Sequence, residues 1–422
     1  MAAPGGGFFI QNTLDSGGAA AHHASFEALW RTKWKPACDR GIYPFMFGAS
    51  ADFQPVVDDI IKKGLKEPYD WDEYARCFFP KAEELVATAK AAEDAGEREK
   101  ASEYYMRASA VYRIARFPAP RSEQQRLAWT RGKEAAVKGF GLHEFPMVPV
   151  EIPHVQHAKP GDGSVLPAFF HLPKQASEAQ PAPLVIIFTG LDGYRTELAV
   201  WKEGWRQLGC ATLVVEIPGT GDNPGLASDP TSPDRVWSSL FDWVAKQAAV
   251  DQARIVNWGF STGGYYSIRL AHTHAEKLKG VVALGGGCHF MFDPRWLEQV
   301  NALEYPFDLA NTLAHKFGYA NDLERFKDEA MDAFSLLRDG TLKKPCTKLL
   351  LVNGTEDEIF PIDDYYLCLQ HGSPKEARFV PGIKHMGEPE SFGIILRWLF
   401  QLLGVEGDVG KFMATIPFKP RF

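Results

Sequence analysis

Arg254-Ile255-Val256-Asn257-Trp258-Gly259-Phe260-Ser261-Thr262-Gly263-Gly264 is the stretch on which the fold turns. Its first five residues read as a buried strand. Gly259 to Gly263 match G-x-S-x-G, and a helix is predicted from about Gly264 to Leu278. Strand, sharp turn and helix are the context in which a serine is presented on a strained backbone. Side chains on either side of such a serine would clash, and glycines at 259 and 263 relieve that. The helix N-terminus that follows favours developing negative charge. A bare G-x-S-x-G arises by chance in glycine-rich loops; the flanking elements are what give this one meaning.

Working outward, continuous apolar runs alternate with helical ones. Leu184–Phe188, Ala211–Glu216, Arg254–Trp258, Gly280–Leu284 and Lys348–Val352 read as buried strands, each followed by a turn and a helix. That alternation predicts a doubly wound, mostly parallel α/β sheet covered on both faces. Val148–Pro153 and Leu166–Leu172 read as antiparallel strands at its start. Residues 290–342, rich in helix formers and aromatics, form a long insertion after a strand, where such sheets place ligand-facing loops. Upstream the pattern is helical, with amphipathic runs Pro80–Ala95, Glu97–Arg116 and Glu123–Lys138. The expected organisation is a flexible arm over 1–24, a helical region over 25–145, an α/β domain over 146–405 and a tail over 406–422. The insertion and the N-terminal helices are expected to act as a lid.

A serine hydroxyl needs a base to become a nucleophile. With an elbow of this kind the chain order is serine, acid, histidine. The late strand Leu349–Val352 runs into Asn353-Gly354-Thr355-Glu356-Asp357-Glu358-Ile359-Phe360-Pro361, and Asp357 is the expected acid, with Glu356 its rival. Glu358 and Asp363 read as solvated loop charges. After one more short strand, Arg378–Val380, His385 sits in a glycine-flanked loop before a helix that begins near Ser391. It is the expected base, ahead of His371. Two backbone N–H groups should hold an oxyanion: that of Thr262, next to the serine, and one from the loop Thr189-Gly190-Leu191-Asp192-Gly193-Tyr194, with Leu191 chosen and Asp192 next. Asp192, Tyr194, His289 and Tyr305 are the substrate-binding candidates, each of which is as readily a satisfied structural residue. Trp296, Tyr305 and Phe307 suit a planar substrate or the packing of a lid.

Composition narrows the classes. The 422 residues are 45% hydrophobic and carry a net charge of -7. That supports a sizeable core and, with no basic patch, argues against nucleic acid. Six scattered cysteines show no C-x-x-C spacing, so neither a disulfide framework nor a zinc site is expected. Neither a signal peptide nor a membrane-length apolar run is legible, which predicts a cytoplasmic protein that does not enter a membrane.

With these motifs in hand, the sequence resembles the FrsA-like branch of the α/β-hydrolases. Within it the sequence is most similar to fungal hydrolases of polyketide pigment and melanin biosynthesis, the yellowish-green pigment hydrolase group. The residues that carry this are Trp30-Arg31-Thr32-Lys33-Trp34-Lys35, Ala110–Ile114, Thr189–Tyr194, Glu216–Thr220, Ser261-x-Gly263-Gly264-Tyr265-Tyr266, Gly287-Cys288-His289, Glu304–Phe307, His371–Glu376 and His385-Met386-Gly387. The resemblance implies a helical N-terminal and lid region, a serine triad without metal or cofactor, and often a homodimer. It also implies cleavage of a carbon–carbon or ester bond in an aromatic polyketide or related natural product. One departure stands out: Gly285-Gly286-Gly287-Cys288-His289 replaces the expected Gly-Pro-Gly-Cys-His.

Overall fold

The computed structural model describes residues 18–320 and 322–417. They divide into two compact units, one of Ala19–Pro149 with Ala199–Trp201, the other of Val150–Leu198 and Lys202–Met413. The expected boundary at 145/146 thus falls a few residues early. Most of the expected arm, residues 1–17, lies outside the described residues, as does the end of the tail, 418–422; Ala21–Ala24 form a short 3-10 turn.

The first unit is built from helices Ser50–Lys63, Trp71–Asp94, Arg98–Arg116 and Glu123–Gly141. The second of these starts well before the expected Pro80. Asp70 caps it by accepting the N–H groups of Asp72 and Glu73, both at 3.0 Å. Pro80 therefore sits inside the helix, where Tyr74, Ala75, Phe78 and Ala82 bury one face around it and offset the lost backbone bond. Close helix packing depends on Gly139, where a Cβ would lie 2.6 Å from the Met106 sulfur.

The second unit carries an eight-stranded sheet: β1 (Val148–Pro153), β2 (Val165–His171), β3 (Ala182–Phe188), β4 (Ala211–Val215), β5 (Val250–Phe260), β6 (Gly280–Leu284), β7 (Leu349–Gly354) and β8 (Glu376–Val380). Their order is β1-β2-β4-β3-β5-β6-β7-β8. Strand β2 runs antiparallel to β4, and every pairing from β4 through β8 is parallel. β3, β4 and β6 are buried along their whole length, as apolar runs covered on both faces must be. This is the α/β-hydrolase fold.

Parallel strands place all their C-terminal ends on one edge, and there the sheet delivers its ligand-facing loops. β5 ends at the serine, β7 runs into the acid loop, and β8 into the histidine loop. The insertion after β6 contains helices Pro294–Gln299, Leu309–Lys316 and Leu323–Phe334. The expected tail from 406 carries a short helix, Val409–Met413. Phe412 is buried on helix Val409–Met413, its ring 4.9 Å from that of Trp205 and 5.8 Å from that of Phe400. Among the described residues no helix is long and apolar enough to cross a membrane.

Candidate active site

Ser261 sits between β5 and helix Thr262–Thr273 with φ 54° and ψ -123°. A serine pays for that backbone only when its surroundings leave no alternative. Two hydrogen bonds lock it: its N–H donates to Leu284 O at 2.7 Å and its carbonyl accepts from Gly264 N at 2.7 Å. Gly259 and Gly263 act as anticipated. A Cβ on Gly263 would lie 2.8 Å from Phe188 O and closer still to Thr189 O; one on Gly259 would strike the Ser267 hydroxyl and the Gly263 carbonyl.

The three residues chosen for acid, base and nucleophile come together from three loops. His385 Nε2 is 2.9 Å from Ser261 Oγ, and His385 Nδ1 is 2.9 Å from Asp357 Oδ2. Asp357 is fully buried, and a carboxylate only accepts, which assigns the proton to Nδ1 and leaves Nε2 free to accept from the serine. Asp357 Oδ1 accepts from Ile359 N at 2.7 Å and Phe360 N at 3.1 Å, and Oδ2 also accepts from the Asn353 amide at 2.7 Å. Burial works against charge on the His385 imidazole. The charge and hydrogen bond of Asp357, with the Glu304 carboxylate behind them, outweigh it and hold the pKa above its ordinary value.

The rivals fall away on position. Glu356 is exposed, and Glu358 pairs with Lys384. Asp363 is not the solvated charge expected: it is 3% exposed at the start of helix Asp363–Leu369, whose N-terminus favours a carboxylate. His371 lies in the turn that follows that same helix, where its N–H donates to Cys368 O.

Thr262 follows the serine directly, and the residue before Leu191 packs against it. A Cβ on Gly190, just before Leu191, would lie 3.4 Å from Ser261 Cβ. Among the described residues neither the Leu191 nor the Thr262 N–H has an intramolecular acceptor. The loop carrying Leu191 is anchored at both ends. Thr189 N donates to Val215 O at 3.1 Å, Tyr194 N to Glu197 Oε2 at 2.9 Å and Arg195 N to Glu216 Oε1 at 3.0 Å. The buried Arg195 guanidinium adds bonds of 2.6 Å each to Glu216 and Asp222.

The substrate-binding candidates separate. Asp192 and Tyr305 meet, the Tyr305 hydroxyl donating to Asp192 Oδ2 at 2.7 Å. Tyr194 is 1% exposed, an interior residue. His289 is half-buried, with Nδ1 2.7 Å from Ser335 Oγ; burial, then the Arg338 cation, pushes its pKa down to about 4, so the ring is neutral near pH 7. Trp296 is fully buried and donates its indole N–H to Ile359 O at 3.2 Å, bracing the acid loop.

Three residues escaped the sequence. Asn353 bonds Asp357 through its amide N–H and accepts Met386 N and Gly354 N through its oxygen, each at 2.9 Å, so one side chain ties acid loop to base loop. Asp364 gathers the N–H groups of His289, Phe290 and Met291 at 2.7–2.9 Å, shaping the loop after β6; burial raises its pKa to about 6. Glu304 is buried and accepts the His385 backbone N–H at 3.2 Å. Glu304, Asp357 and His385 have donor atoms within 4.8 Å of one another, a spacing that suits a metal ion. Asp357 Oδ2 and His385 Nδ1 already hold each other, however, and an ion would have to break that bond. The glycine at 286 also has a reason. Its N–H donates to the Tyr365 hydroxyl at 2.7 Å, and a Cβ would lie 2.5 Å from Gly264 C. Proline could supply neither the donor nor the space.

Known proteins agree with this fold. The chain is 24% identical over 267 residues to the esterase FrsA of Photorhabdus laumondii subsp. laumondii, covering 62% of this chain and 60% of that one. It is 27% identical over 263 residues to the esterase FrsA of Salmonella paratyphi B, covering 60% and 58%. The matched stretch therefore spans about three fifths of these curated relatives. Among solved structures, the 2,6-dihydroxy-pseudo-oxynicotine hydrolase superposes with a TM-score of 0.64 at 18% identity, over 85% of this chain and 93% of that one. AbyA5 gives 0.62 at 20% identity, over 88% and 98%. Residues 78–382 match the family model described as esterase FrsA-like, and the chain belongs to the FrsA-like family.

Proposed function

We propose that this chain is a serine hydrolase in which Ser261 is the nucleophile, His385 the base and Asp357 the residue that orients it. The observation that carries the proposal is the unbroken relay Ser261–His385–Asp357, with both links at 2.9 Å, beneath a serine held at positive φ. His385 Nε2 takes the serine proton as Oγ attacks a carbonyl carbon, and Asp357 stabilises the imidazolium that forms. The oxyanion accepts from the Leu191 and Thr262 N–H groups, each worth about 3 kcal/mol in the transition state. The tetrahedral adduct collapses, His385 returns the proton to the leaving group, and water, activated by the same imidazole, releases the acyl group.

The proposed substrate is an aromatic polyketide or related natural product cleaved at a β-dicarbonyl carbon–carbon bond. There the leaving group is an enolate, tolerable because its charge is spread onto oxygen, and the same proton relay serves it. The sequence resemblance supports this class; a hydrolase of a pseudo-oxynicotine shares the fold. Ester cleavage is the second reading, favoured by the name esterase that the curated relatives carry.

The first test is intact mass spectrometry after exposure to a fluorophosphonate. One adduct on the wild type, absent from Ser261→Ala and slow in His385→Ala, is the expected result. An adduct that survives Ser261→Ala would overturn the assignment. Products from aromatic polyketides and from p-nitrophenyl esters, weighed by mass, then separate carbon–carbon from ester cleavage.

A further inference from the structure

The insertion after β6 touches all three loops of the site. Trp296 bonds the acid loop at Ile359, Glu304 bonds the base loop at the His385 N–H, and Tyr305 bonds the oxyanion loop at Asp192. The last contact has a specific consequence. The oxyanion loop is pinned at Thr189 on one side and at Tyr194 and Arg195 on the other, and Gly190 N donates to Gly193 O across the loop itself. Leu191, which offers the N–H, lies between these anchors, and Asp192 is its immediate neighbour. A hydrogen bond of 2.7 Å from a buried phenol to the Asp192 carboxylate fixes the direction of the adjoining peptides. Both side chains are substrate-binding candidates by sequence; in the structure they bond each other.

We infer that Tyr305 is a positioning residue of the oxyanion hole, acting through Asp192 to aim the Leu191 N–H. The site is then complete only while the insertion is seated, because the same segment carries the Glu304 contact to His385. The inference rests on the serine-hydrolase assignment. An N–H displaced by about 1 Å from a developing oxyanion loses on the order of a hundredfold in rate, so loosening the tether should cost between tenfold and roughly that much.

The test is Tyr305→Phe, with Asp192→Asn as the second variant and the double substitution as a third. Two readouts are used. The first is the rate of labelling by a fluorophosphonate, where the Ser261 Oγ–P bond forms, the P–F bond breaks, fluoride leaves and the serine proton passes to His385. The second is the inhibition constant of a small trifluoromethyl ketone, whose hemiketal oxyanion occupies the hole. Each single variant should slow labelling about tenfold or more and weaken the ketone by a similar factor. The double variant should be no worse than either single one, because both break the same tether. The pH at which labelling is half-maximal should stay where it is, since His385 is untouched. Unchanged labelling and ketone affinity, or additive losses in the double variant, would overturn the inference. So would an effect confined to the KM of bulky substrates, which marks Tyr305 as a substrate contact. If the wild type itself is not labelled, the serine-hydrolase assignment fails and takes this inference with it. A labelled wild type with an indifferent Tyr305→Phe removes the inference alone.

Discussion

Replacing Asp357 by asparagine changes one atom and should nearly abolish turnover. The surroundings dictate which way the new amide faces. Oδ1 of Asp357 accepts two backbone N–H groups, from Ile359 and Phe360, so the amide oxygen must take that place. The opposite orientation would leave two buried donors facing an NH₂ group, at a cost of about 1–3 kcal/mol for each. The NH₂ group therefore faces His385 Nδ1 and donates to it. Asn353 cannot compensate, because its own oxygen is committed to Gly354 and Met386. The imidazole is driven to the tautomer with its proton on Nε2, where it points at Ser261 and cannot accept. A tautomer inverted in this way lowers kcat by about ten-thousandfold, equivalent to about 5 kcal/mol of barrier. Single-turnover acylation by p-nitrophenyl acetate, followed by stopped flow, measures it directly, with circular dichroism to show that the fold is retained. A folded Asp357→Asn protein that loses less than about tenfold would refute the roles given to Asp357 and His385.

Glu304→Gln removes a carboxylate that helps hold the His385 pKa up, so the acid limb of kcat/KM should move to lower pH; a limb that stays put or moves up would contradict the electrostatic role of Glu304. Gly263→Ala places a Cβ against the Phe188 and Thr189 carbonyls and should destabilise by more than about 2 kcal/mol, read as a lower urea midpoint. Lys316 is 1% exposed, bonds the Tyr266 hydroxyl, and is driven by burial well below its usual pKa. Between that lowered value and 10.5 the unfolded chain holds a proton the folded chain lacks, so stability should rise with pH across this window. Lys316→Met should flatten the rise and stabilise the fold near neutral pH by about 1 kcal/mol, read as a higher urea midpoint; a lower midpoint there would show that the amine stabilises the fold.

Local chemistry made much of this protein readable in one dimension. An elbow needs glycines on both sides of its serine, buried parallel strands must be apolar throughout, and the order of strands puts acid and base on later loops. Those constraints act within a few residues; they single out Ser261, Asp357 and His385, which the fold brings within hydrogen-bonding distance, and they predict the parallel sheet. Helix starts were less legible. By its amphipathic pattern the helix is expected from Pro80, whereas its cap is Asp70 and tertiary burial of the face around Tyr74 and Phe78 carries it through the proline. What the tertiary structure alone decided are pairings between distant segments. Asn353 with Met386, Tyr305 with Asp192 and Glu304 with His385 lie 33, 113 and 81 residues apart. No period or motif encodes such a contact, because it depends on where an insertion folds back over the sheet edge. Asp363 and Asp364 make the same point: as letters they are two acids in a loop, and only the packed helix start buries both and turns the second into the anchor of three backbone N–H groups.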